Sequence, residues 1–194
     1  MSKLKNYDKF TSTNPRFDFS FLYPSDWQVR EVKGEDYDEV FILGPRNRED
    51  TYSLALIVRV TPTREKGGQY TGLGELIADY LARSERSTKF QEISRAYGSL
   101  AGVKAMEIEI GYTIPLPINT LNPKDTPIVE RRIFLQKGGY FYEAIYRAVE
   151  EDYFTYLEAF KNMMRTFEFR DDVTWREYRP LVIPVPAHAT DEQR

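Results

Sequence analysis

The stretch FDFSFLYPSDWQV, Phe17 to Val29, decides how the rest of the chain is read. Phe17, Phe19 and Phe21 alternate with Asp18, Ser20 and Leu22, the period-two pattern of a strand with one buried face. Pro24 cannot donate to a sheet ladder, and Ser25-Asp26 supplies side-chain oxygens for a tight turn. The spacing therefore predicts a short aromatic strand, a turn, and Trp27 folded back over the edge of a core.

Working outward, strands are predicted over 37–43 and 52–61. In the second, Leu54, Leu56, Val58 and Val60 share a face. The connecting GPRNRED is a turn or exposed loop. After KGGQYTGLG, read as a linker, the segment 73–87 carries Leu73, Leu76, Ile77, Tyr80 and Leu81 at helical spacing. Two hairpins follow, 90–97 with 103–112 and 128–136 with 140–148. The second is closed by Gly138-Gly139, which can adopt the positive φ angles of a tight hairpin turn. A last helix over 152–167 places Tyr153, Tyr156, Leu157, Phe160, Met163 and Met164 on one face, with Glu150, Glu151 and Asp152 favouring the dipole at its start.

These elements describe an α+β protein, an antiparallel β-sheet flanked by helices. The domain is expected over 17–170, after an N-terminal extension, 1–16. Two segments stand apart from it: a proline-rich insert, 114–127, and an extended proline-rich tail, 171–194. With 194 residues, of which 41% are hydrophobic, one compact core is expected.

The order of elements resembles the PsbP family, whose domain opens with a short aromatic strand of the form F-x-F-x-x-P-x-x-W. Here Phe19, Phe21, Pro24 and Trp27 carry that motif. The resemblance continues through Val60-Thr61-Pro62-Thr63 at the end of the long apolar strand, through LGELIADYLAR, and closes with YFYEAIYRAVEEDYFTYLEAFKNMMRTFEF. It implies an α-β-α sandwich, a fold shared with a Ran-binding transport factor and bacterial envelope proteins. It also implies a non-catalytic module that docks on a larger assembly, photosystem II or another membrane complex, and a site in the thylakoid lumen or periplasm. The strongly basic N-terminal arm of the plant photosystem subunit is not present, which points to the wider superfamily. The start MSKLKNYDKF has no apolar core of a secretory signal, so a cytoplasmic site is the alternative.

Composition narrows the chemistry. The formal charge of -3, from 27 basic and 30 acidic residues, gives no global field for nucleic acid or anionic lipid, and no apolar run is long enough for membrane insertion. Cysteine is absent, which removes thiol catalysis, disulfides and thiolate metal sites. The single histidine, His188, lies in the proline-rich tail, where a rigidly placed base is not expected. No Gly-Lys-Ser/Thr follows the glycines of GGQYTGLG, so a phosphate loop is not supported. A small hydrolase ranks last, because no nucleophile and base can be paired.

Carboxylates and exposed surface remain. Glu35, Asp36, Asp38 and Glu39 gather in GEDYDE as candidate ligands for calcium or manganese, against the plainer reading of a solvated acidic loop. Glu107 and Glu109 alternate on one strand face. Arg46 and Arg48, with Arg131 and Arg132, are candidates for a basic contact surface or ordinary protection of sheet edges. Leu116, Ile118 and Leu121 in the insert, and Leu181, Val182, Ile183 and Val185 in the tail, are the preferred partner-binding residues. Proline has already restricted the chain there, so ordering it on a partner costs little. The alternative for both segments is packing within the same domain.

Overall fold

The computed structural model describes residues 6–170. Ten strands and two helices follow in the order β1 (Tyr7–Phe10), β2 (Phe19–Pro24), β3 (Gln28–Lys33), β4 (Asp38–Arg46), β5 (Ser53–Pro62), α1 (Leu73–Ser84), β6 (Thr88–Leu100), β7 (Val103–Leu116), β8 (Lys124–Lys137), β9 (Tyr140–Val149), α2 (Glu150–Thr166) and β10 (Glu168–Phe169). A seven-stranded antiparallel sheet runs β3-β4-β5-β9-β8-β7-β6. Helix α1 covers one face. Helix α2 and a small sheet, β1-β2-β10, cover the other.

The opening aromatics hold this second layer in place. Phe17, Phe19 and Phe21 have no exposed surface, and Phe19 packs within ring-contact distance of Phe10, Phe17, Phe21, Tyr142 and Phe167. The strand of Phe19 and Phe21, β2, which Phe17 precedes, lies in the middle of the small sheet rather than in the main one. Residues 7–10, part of the expected N-terminal extension, form β1 beside it, and Phe10 joins the core. Trp27 turns back as the sequence suggests, its amide bonded to the Pro24 carbonyl at 3.0 Å and its ring against Tyr156 of α2. Gly44 makes this possible, since a Cβ there would press on both the Trp27 ring and Leu54.

The main sheet shows the two-sided burial of its central strands. Leu54, Leu56, Val58 and Val60 face α2, while Ala55 and Ile57 face the other way. Gly138 and Gly139, at φ 60° and 83°, form the two-residue turn between β8 and β9. Strand β6 runs longer than its apolar pattern, because register shifts break its alternation and nearly all of it is exposed.

The proline-rich insert corrects the sequence reading most. Thr113–Leu116 pair in register with Lys124–Pro127, so the two strands extend past β6 and β9 as a β-hairpin arm. Only 117–123 form its loop. Pro115 fits because the arm has a free edge there, where no ladder donor is needed.

Truncating Phe19 to alanine removes the ring on which five others meet. We expect a loss of about 3–5 kcal/mol in urea unfolding, against a change within about 0.5 kcal/mol for Ser94→Ala on exposed β6.

Candidate functional site

Alternate residues of β4, β5, β8 and β9 face α1, and the register of those strands brings six charges of alternating sign into one chain. Arg59 lies opposite both Glu39 and Glu143, and Arg147 lies opposite Glu130. Arg59 Nε donates to Glu39 Oε1 at 2.7 Å, and Arg132 NH1 donates to Glu143 Oε1 at 2.6 Å. Arg132 Nε and Arg147 Nε donate to the two oxygens of Glu130 at 2.9 and 2.7 Å. The resulting ladder, Glu39–Arg59–Glu143–Arg132–Glu130–Arg147, carries equal positive and negative charge. Glu39, Glu130, Arg132 and Glu143 are all buried.

Helix α1 closes the ladder from above. Tyr80 donates its hydroxyl to Glu130 at 2.9 Å, and its ring lies 4.2 Å from the Arg132 guanidinium carbon. Burial and the Glu130 charge push the Tyr80 phenol well above its ordinary value, so it remains a donor across the physiological range. Burial works against ionising Glu130, but the Arg132 and Arg147 guanidiniums and the bonds from Arg147 and Tyr80 hold its carboxyl down to about 2.

Two cavities open beside the ladder, sharing Arg59 and Arg83 as walls. One, of about 270 Å³, lies between Tyr80, Tyr112, Glu130 and Arg147. The other, of about 350 Å³, is bounded by Glu35, Asp36 and Tyr37 of the β3–β4 loop and by Gly67–Tyr70. The glycine stretch read as a linker is therefore an ordered wall. Its Gly67 and Gly68 amides bond to the Arg64 and Thr63 carbonyls at 3.1 and 2.9 Å, so they are not turned to an anion.

The four candidate cation ligands do not converge. Asp38 is fully buried and is held by Asn14 at 3.0 Å and Arg16 at 3.4 Å, while Glu39, next along the strand, points to the opposite face and takes Arg59. Strand alternation separates them. Glu35 and Asp36 stay in the loop, and no group of acids able to hold a cation occurs among the described residues. Arg132 and Arg131 also leave the proposed basic surface. Arg132 is buried in the ladder, and Arg131 faces α2 between Glu107 and Glu109, at 3.3 and 3.1 Å, with the Tyr153 hydroxyl on Glu109 at 2.5 Å.

The partner-binding candidates divide in the same way. Leu116 is buried and cannot meet a partner, whereas Ile118 is 68% and Leu121 99% exposed on the arm's loop. Arg46, the last residue of β4, and Arg48, in the turn after it, lie at the same end of the sheet, where Lys124 of the arm bonds Glu49 at 2.6 Å. Arg46 is engaged by Asp50. Leu181, Val182, Ile183, Val185 and His188 lie outside the described residues. The ladder itself went unread in the sequence. Its one legible sign is a charge at alternate positions inside otherwise apolar strands, as in Glu130 and Arg132.

No family model matches the chain, and no curated protein matches it in sequence. Solved structures match its fold. The cyanobacterial PsbP (CyanoP) of Synechocystis aligns over 87% of this chain and 95% of its own at 16% identity and a TM-score of 0.52. LpqN of Mycobacterium tuberculosis, involved in cell envelope biogenesis, aligns over 86% and 91% at 11% identity and 0.53. The Saccharomyces cerevisiae Ran-binding protein Mog1p aligns over 87% and 98% at 11% identity and 0.51. The chain has the α+β fold of these proteins. At such identities the likeness is one of fold, and the PsbP resemblance of the sequence holds at that level. No helix among the described residues is long and apolar enough to cross a membrane.

Because Glu130 has a folded-state pKa of about 2 against an ordinary 4.5, its stabilisation is complete above the higher value and is lost as the pH falls toward the lower. Melting temperature should drop across that window. Glu130→Gln should be less stable by about 3–5 kcal/mol at neutral pH, with a shallower loss between pH 4.5 and 2.

Proposed function

We propose that this chain is a non-catalytic binding module that docks on a larger protein assembly and helps to assemble or stabilise it. The observation that carries this reading is the arm. Scattered single apolar residues on a surface need no explanation. Here Ile118 and Leu121 both sit on the loop that caps a hairpin reaching beyond its neighbouring strands. Such a projection exposes apolar surface at little further ordering cost, because its strands are already paired.

The β4–β5 turn beside it supplies Arg48, exposed, at the rim. An apolar centre with a charged rim is the composition of a protein contact. Mog1p, of similar fold, binds Ran by name, which supports a protein partner in general. The sequence's resemblance to the PsbP family, with the fold of cyanobacterial PsbP beside it, is the support for a membrane assembly such as photosystem II as the partner, met from the lumenal or periplasmic side. The charge ladder, in this reading, is structural: its groups are engaged with one another, and no nucleophile is paired with a base among them.

The test uses the full chain, tagged, in its own cells. Wild type should recover subunits of one membrane complex from the solubilised membrane fraction. Ile118→Asp with Leu121→Asp should lose about tenfold or more of that recovery, the scale of a lost apolar anchor, with an unchanged melting temperature. Equal recovery by the variant would show that the arm is not the contact.

A further inference from the structure

The cavity between the β3–β4 loop and Gly67–Tyr70 lies at the end of the sheet away from the arm, and one of its walls is an incomplete part of the ladder. Glu143 is 1% exposed and lines this cavity. Its Oε1 accepts from Arg132, but its Oε2 is buried and has no hydrogen-bond donor. Arg59 NH1 stands 3.8 Å from it, beyond hydrogen-bond range, because the Nε and NH2 of that guanidinium are committed to Glu39. A buried carboxylate oxygen without a donor is costly, and a charged donor satisfies it best.

The rest of the lining selects the same chemistry. Glu35 and Asp36 stand at the cavity, while its two cations are each paired elsewhere, Arg59 with Glu39 and Arg83 with Asp79. Glu143 itself is balanced by Arg132, so the charge left over at the cavity is that of Glu35 and Asp36, which disfavours an anionic ligand. Arg59 is further held over the Tyr37 ring at 4.3 Å, which fixes the inner wall. At about 350 Å³ the space is at the small end of the range for organic ligands.

We propose that this cavity is a binding site for a small organic amine, whose ammonium group donates to Glu143 Oε2 while Glu35 and Asp36 balance its charge at the mouth.

The probe is 1,5-diaminopentane, titrated into the full chain at pH 7 and followed by amide NMR, with 1,5-pentanediol as an uncharged control of the same length. The diamine should give saturable shifts at Glu35–Tyr37, Gly67–Tyr70 and Glu143, and the diol none. Glu143→Gln should weaken binding by about tenfold or more, the scale of a lost charge-assisted bond. Should that variant fail to fold, Glu35→Gln with Asp36→Asn, on the loop, serves in its place and should weaken binding severalfold. No saturable shift at millimolar diamine, equal shifts with the diol, or unchanged affinity in the folded variants would overturn the proposal and leave a water as the partner of Glu143.

Discussion

The chain of ion-paired charges under α1 constrains the arrangement of the whole sheet. A strand pairing is free to slip unless something penalises the slip, and a one-residue shift exchanges every side chain between faces. In this sheet the shift would carry Glu143 and Arg147 to the α2 side and leave Arg132 and Glu130 buried without partners. Each uncompensated buried charge costs several kcal/mol. The ladder thus acts less as a source of stability than as a device that makes one register of β4, β5, β9 and β8 much better than its neighbours. The hydrophobic layers on the two faces supply the stability itself, with the Phe19 cluster on one side and Leu76, Ile77 and Tyr80 on the other.

Much of the fold was legible because its elements follow simple periods. The alternating phenylalanines, the helical spacing of Leu76, Ile77 and Tyr80, and the paired glycines at 138 and 139 all match what the structure shows. What the periods could not show was pairing between distant segments. Phe19 and Phe21 mark a strand, but nothing local assigns that strand to a second sheet with 7–10 and 168–169. The prolines of 114–127 mark a break by their own chemistry, yet Pro115 and Pro127 sit within paired strands because each strand of the arm has a free outer edge there.

The site was less legible than the fold for a related reason. GEDYDE gathers acids in sequence, and strand geometry then sends Asp38 and Glu39 to opposite faces, each to its own arginine. Arg131 and Arg132 are adjacent in sequence and are separated by the sheet in the same way. The ladder is assembled from residues up to about a hundred positions apart, so only the register reveals it. Ile118 and Leu121 were identified correctly as exposed, since a proline-rich loop seldom buries its tip, whereas Leu116 was lost to the core by two residues' difference in place.

The two ends of the molecule then have different characters. The arm and the β4–β5 turn present apolar and basic groups outward, while the other end holds an acidic cavity whose inner wall is a ladder carboxylate. Both depend on the register that the ladder sets. The most direct test of that claim is a double-mutant cycle on the bond between Arg132 and Glu143, with Arg132→Met, Glu143→Leu and the combined variant unfolded in urea. The account predicts that the double variant loses less than the sum of the singles, with a coupling toward the top of the usual range of about 0.5–3 kcal/mol. Additive losses would contradict it, and would mean that these buried charges are accommodated one by one rather than as a ladder.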